Sequence, residues 1–183
     1  MPRDDWLDGG DRRGIAAERI YDAATELITR EGPDAFDIDT LAARVHCSRA
    51  TIYRYAGGKA QIRDAVVARS AARIVEKVRD AVQNLDGPER VVTAITVALR
   101  LIRADPLSRP MFSSVRANDA VWLTGSPLLA GFATELTGLT NRDPQGALWV
   151  IRVVMSLLYW PVGDDDTERD VVQRFVAPAF AVD

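Results

Sequence analysis

Apolar residues recur along this chain at helical spacing, and no segment alternates apolar and polar residues as a half-buried strand would. The pattern predicts helices throughout and strands nowhere. Ile20, Ala24, Leu27 and Ile28 mark one side of a first helix over about 15–30, which stops at Glu31-Gly32-Pro33. Ile38, Leu41, Ala42 and Val45 then fall at i, i+3, i+4 and i+7, giving a second helix with Asp37 available as its N-cap. A third helix runs from Ser48 to about Ala56 and breaks at Gly57-Gly58. A long fourth opens near Lys59, with Ile62, Val66, Ile74, Val78 and Val82 along a rough i+4 seam, and ends in Asn84-Leu85-Asp86-Gly87-Pro88.

Beyond Pro88 the chain becomes more apolar. A helix over 91–104 ends at Asp105-Pro106, shorter candidates cover 110–117 and 127–139, and two further helices span 144–160 and 168–181. The segment 147–162 is apolar except for Arg152 and Ser156. It falls short of the about 20 residues that a bilayer requires, so it reads as a helix buried on several sides. In the last helix Val171, Val172, Phe175, Val176, Ala179 and Phe180 repeat on one face. Two such hairpins from two chains make a four-helix bundle, which predicts a homodimer through residues 144–181. Residues 1–14 hold four aspartates and two glycines before Gly14, with no apolar run resembling a signal peptide. They read as a flexible arm, and the protein is expected in the cytoplasm.

The joint Val45-His46-Cys47-Ser48 leaves room for a short turn between the second and third helices, the arrangement of a DNA-reading helix-turn-helix. The third helix, Ser48-Arg49-Ala50-Thr51-Ile52-Tyr53-Arg54-Tyr55, carries hydroxyls, phenols and guanidiniums suited to a polyanionic partner. A net charge of −3 argues against nucleic acid until its distribution is considered. Between Thr40 and Arg73 stand seven basic residues against the single acid Asp64, a local excess of +6 that leaves −9 elsewhere. This separation concentrates an attractive field near the third helix. A single cysteine, Cys47, excludes an intrachain disulfide, and one histidine leaves no zinc-binding cluster. With no nucleophile, base or metal constellation, neither an enzyme nor a cofactor is expected.

On these residues the chain resembles the TetR family of bacterial transcriptional regulators, most visibly in Ser48-Arg-Ala-Thr-Ile-Tyr-Arg-Tyr-Ala-Gly-Gly-Lys-Ala-Gln-Ile62. The resemblance is specific over about 15–67 and extends further only as a layout of helices. It implies an all-α protein, with a helix-turn-helix DNA-binding head over 15–58 and a helical ligand-binding and dimerisation body over 59–183. By position it implies base or adjacent phosphate contacts for Arg49, Thr51 and Arg54, and phosphate contacts for Tyr53 and Lys59. Ser48, Ala50 and Tyr55 complete the DNA-facing set. The chemistry agrees: arginine pairs with guanine O6 and N7, a threonine methyl packs on thymine, and lysine serves phosphate as a point charge.

Three positions depart from the family pattern. Ala56 replaces a usual phenylalanine, so Phe36 or Tyr55 is expected to fill the space. His46 stands where glycine is frequent, which calls for a left-handed backbone. Gly57-Gly58 predicts a loose link to the fourth helix. Along that helix Arg69, Arg73 and Lys77 are interspersed with Glu76 and Asp80 and read as a solvated, ion-paired face.

The body offers Phe112, Trp122, Trp149 and Arg152 as candidates to line a pocket for a small-molecule effector. Tyr159 and Trp160 fit either that pocket or the dimer interface. Arg152, in so apolar a helix, must bind an acidic ligand group, meet an acid such as Glu135 or Asp119, or reach water at an edge. The function expected is a ligand-responsive repressor, dimeric on a palindromic double-stranded operator. The alternative is a helical sensor or interaction module whose head no longer reads DNA specifically.

Overall fold

A computed structural model describes residues 7–32, 36–108, 127–139 and 143–181. Every regular element among the described residues is helical. The first four helices are α1 (Leu7–Glu31), α2 (Ile38–Arg44), α3 (Arg49–Tyr55) and α4 (Lys59–Val82). The rest are α5 (Gly87–Ala104), α6 (Pro127–Thr137), α7 (Pro144–Tyr159) and α8 (Asp165–Phe175), with a 3-10 turn at Ala177–Phe180. The chain forms two compact units whose boundary falls within α4, between Ser70 and Ala71.

In the first unit, Ile20, Ala24, Leu27 and Ile28 of α1 are buried with Leu41 and Ala42 of α2, Ile52 of α3, and Ile62 and Val66 of α4. The stripe in α1 is the predicted one, but the helix opens at Leu7, inside the segment expected to be an arm. Gly32 ends α1 at a φ of +90°, donating its N–H to the Ile28 carbonyl at 2.9 Å, a C-terminal cap that glycine adopts without strain. Phe36 is fully buried and Ala56 nearly so, whereas Tyr55 is only half-buried. Lys59 Nζ lies 5.9 Å from the Phe36 ring centroid, which places that ring beside the start of α4. Phe36 therefore supplies the aromatic bulk of this small core.

The second unit is organised around α5. Its Val91, Val92, Ile95 and Leu99 pack in one core with Ala133 of α6, Ala147, Val150, Ile151, Val153 and Leu157 of α7, and Val172 of α8. A smaller cluster joins Val75, Val78 and Val82 of α4 to Ala94 and Leu136. Polar ties close the helix ends. Arg90 donates Nε to the Leu136 carbonyl at 3.0 Å, one terminal nitrogen to the Val82 and Leu85 carbonyls at 3.1 Å each, and the other to the Glu135 carbonyl at 3.0 Å. One guanidinium thus satisfies carbonyls that α4 and α6 leave open at their C-termini. Arg103 forms a fork with Glu168, at 2.9 and 2.6 Å, and also reaches the Leu157 carbonyl. Glu168 is buried, and its hydrogen bonds raise the Arg103 pKa above its ordinary value against the opposing effect of desolvation.

Both ends of the last helix differ from expectation. The last helix begins at Asp165, because the Asp164 carboxylate accepts the Thr167 N–H at 2.8 Å and three acids follow in the first turn. It ends at Phe175 and tightens into the 3-10 turn containing Pro178, whose ring nitrogen has no N–H to continue an α-helix. No helix among the described residues is long and apolar enough to cross a membrane.

Candidate nucleic-acid interface

The turn between α2 and α3 is fixed by its own hydrogen bonds. Val45 donates to the Leu41 carbonyl at 3.0 Å, His46 to Ala43 at 3.3 Å and Cys47 to Ala42 at 3.0 Å. His46 has a φ of 53°, the left-handed backbone expected of it. Asp37 caps α2 by accepting the Thr40 backbone N–H and hydroxyl, both at 2.8 Å. These bonds, the backbone one foremost, hold the Asp37 carboxyl below its usual pKa. Ser48 caps α3: its Oγ accepts the Thr51 N–H at 3.2 Å and lies 2.9 Å from the Thr51 hydroxyl.

From this cap, Ile52 is fully buried and pins α3 to the head core. The opposite face is outward. Ser48, Arg49, Ala50 and Arg54 are exposed, Tyr53 is 57% exposed, and Thr51 and Tyr55 are half-buried. The Arg54 guanidinium lies 4.6 Å from the Tyr55 ring centroid and donates to the Tyr55 hydroxyl at 3.0 Å, so the two form one unit at the end of the helix. Lys59 is exposed in the first turn of α4. The Gly57-Gly58 link is not left loose. Gly57 turns at a φ of +82°, and the Gln61 side chain reaches back to accept the Gly58 N–H at 2.7 Å, half of a capping box.

Sequence spacing missed the acids of this surface. Asp39 in α2 pairs with Arg49, and Glu26 in α1 pairs with Arg44. Arg69 does not pair along its own helix with Glu76 or Asp80. It bridges Glu18 at 2.6 Å and Asp22 at 3.2 Å on α1, and sits 5.4 Å from the Tyr21 ring centroid. The +6 window is therefore met in space by acids that precede it in sequence. Across 14–70 the chain has eight basic and eight acidic residues, so any attraction for an anion depends on local arrangement.

Of the body candidates, Trp149 and Arg152 lie exposed on α7. Glu135, the suggested partner of Arg152, is taken by Arg79 at 2.6 Å, a hydrogen bond that lowers the Glu135 pKa and raises that of Arg79. Asp119, Phe112 and Trp122 lie outside the described residues, as does the helix predicted over 110–117. Trp160 is 73% and Phe175 66% exposed, with Val162 also outward, so the last two helices and the turn between them each leave a large apolar group at the surface.

Comparison with known proteins agrees with this geometry. Residues 20–66, from α1 into α4, match the family of bacterial regulatory proteins called tetR. Over 97% of its length the chain is 34% identical to the HTH-type transcriptional regulator Rv1255c of Mycobacterium tuberculosis, of which it covers 91%. It matches MT1294, from another strain of that organism, to the same extent. Among solved structures it resembles the R. erythropolis transcriptional repressor QsdR, with a TM-score of 0.61 at 19% identity, covering 92% of this chain and 96% of that one. The TetR family repressor AlkX of Dietzia sp. gives 0.58 at 18% identity, with 90% and 94% covered. The capped and pinned α3, the family match over the head and the near full-length relatives lead to one assignment: the chain belongs to the TetR family of transcriptional regulators and carries its DNA-binding helix-turn-helix.

Proposed function

We propose that the protein is a ligand-responsive repressor that binds a palindromic operator as a homodimer, each α3 entering one major groove. The observation that carries the DNA side is the exposed face of α3, held rigid by the Ser48 cap and buried Ile52. Arg49 opens α3 and Lys59 opens α4. In this reading Arg49, Thr51 and Arg54 read base edges, while Tyr53, Lys59 and the Ser48 hydroxyl meet phosphates. Ala50 permits close approach, and Tyr55 steadies Arg54.

Homodimerisation through 144–181 is supported by the outward Trp149, Trp160, Val162 and Phe175. A large apolar patch on a monomer marks an interaction surface. Repression is favoured by the names of the structural neighbours QsdR and AlkX, both described as repressors. An effector would act by preferring one of two conformations of the body, with Phe112 and Trp122 retained as lining candidates. Exposed on α7, Trp149 and Arg152 fit the dimer face better than an enclosed pocket.

The balanced charge of the head favours a second reading, a helical sensor that does not bind DNA specifically. Selection from a random duplex pool separates the two. The repressor reading predicts enrichment of one palindrome with half-sites about one helical turn apart. No enrichment, together with no duplex binding at low salt, refutes it.

A further inference from the structure

Asp39 stands in the first turn of α2, and its carboxylate pairs with Nε of Arg49, the first residue of α3. The two side chains are 62% and 67% exposed, so the pair adds little to stability. Its chemistry matters more. A guanidinium has five N–H donors and one carboxylate engages at most two, so a paired Arg49 keeps donors for a base edge. The same carboxylate cancels the charge by which Arg49 would be drawn to any phosphate. It also supplies the anion that a cation at a helix start requires. Arg44 with Glu26, and Arg69 with Glu18 and Asp22, repeat the arrangement elsewhere in the head.

We propose that Asp39 is a specificity-determining positioning residue: it withholds Arg49 from phosphates and keeps it oriented, so that Arg49 adds to binding only where a guanine edge meets its remaining donors. The inference rests on the reading that α3 enters the major groove. Random duplex offers phosphates everywhere and the right guanine rarely, so the effect of Asp39 is to suppress binding to random sequence while leaving cognate binding intact.

The test uses the full chain as wild type, Asp39→Asn, Asp39→Glu, Arg49→Ala and the double variant Asp39→Asn with Arg49→Ala. Fluorescence anisotropy measures affinity for a selected duplex and for a random duplex of equal length over a salt series, and circular dichroism checks the fold. Asp39→Asn is expected to bind random duplex about tenfold tighter, with a salt slope steeper by about one, and to bind the selected duplex within about threefold of wild type. Asp39→Glu restores the wild-type ratio. In the Arg49→Ala background, Asp39→Asn leaves the ratio of selected to random affinity unchanged. A ratio unaltered by Asp39→Asn alone, or one that falls equally without Arg49, overturns the proposal. Absence of all duplex binding by the wild type refutes the underlying DNA reading itself, and is distinguished by that sample alone.

Discussion

Arg49 and Lys59 both open helices, yet their surroundings differ. Arg49 faces the Asp39 carboxylate, whereas Lys59 Nζ lies over the apolar ring of Phe36. A planar fork beside an acid suits recognition of one base, and a compact ammonium suits any phosphate within reach. Arg49→Ala should therefore reduce preference at one or two operator positions by about 1–3 kcal/mol. Lys59→Ala should weaken binding to all duplexes alike and lower the salt slope by about one. Affinities for a panel of single-base operator variants check both, and equal losses from the two substitutions across the whole panel refute this division of labour. The outward aspect of these residues was legible because Ile52 is the one large aliphatic residue of α3. The acid partners were not. Asp39 and Glu26 reach Arg49 and Arg44 only after helices separated in sequence come together, which no periodicity reports.

At the scale of elements, the placement of α2 and α3 depends on caps that titrate differently. Ser48 is neutral, but Asp37 works as a carboxylate whose folded pKa lies below its ordinary value. Glu135 and Asp164 are lowered likewise. A lowered folded pKa means that the contribution to stability is complete above the unfolded value, about 4, and is lost as pH falls through the folded one. Melting temperature should decline on acidification below about pH 5. Asp37→Asn, which keeps a capping oxygen without a titrating group, should decline less steeply in thermal melts between pH 7 and 3. An identical decline refutes a role for Asp37. Element identity was readable because α1, α4, α5 and α7 each carry a long apolar stripe. Ends were readable where glycine or proline marked them, as at Gly32 and Pro144, or where a capping aspartate preceded an apolar stripe, as at Asp37. The start of α8 was missed because its signal is a cap, Asp164 to Thr167, on a turn with no apolar residue. The Gln61 cap over Gly58 was missed for a related reason: two glycines suggest slackness, and only the folded backbone brings the amide into reach.

Across the whole molecule, the last two helices hold a buried ion pair inward and exposed apolar side chains outward. Inward, Glu168 is only 4% exposed and depends on Arg103. Arg103→Ala would strand a buried carboxylate and should lower unfolding free energy by about 2–4 kcal/mol, the lower part of that range reflecting the partial exposure of Arg103. Urea denaturation measures it, and a loss below about 0.5 kcal/mol would show the pair to be dispensable. Outward, Trp160 and Phe175 have no such role in the core, so Trp160→Glu should yield a folded monomer in sedimentation at micromolar concentration. A dimer that persists would place the interface elsewhere. A monomeric variant should also lose operator affinity, because two half-sites would then be bound independently. The proposed dimer presents two α3 helices that discriminate sequence and not merely charge. Its most direct test is the affinity of the wild-type protein for a selected palindrome and for a scrambled duplex of the same length, measured near 150 mM salt. A ratio of at least about a thousand is expected, with one dimer bound per palindrome. Equal affinity for the two duplexes, or binding to neither, would contradict it.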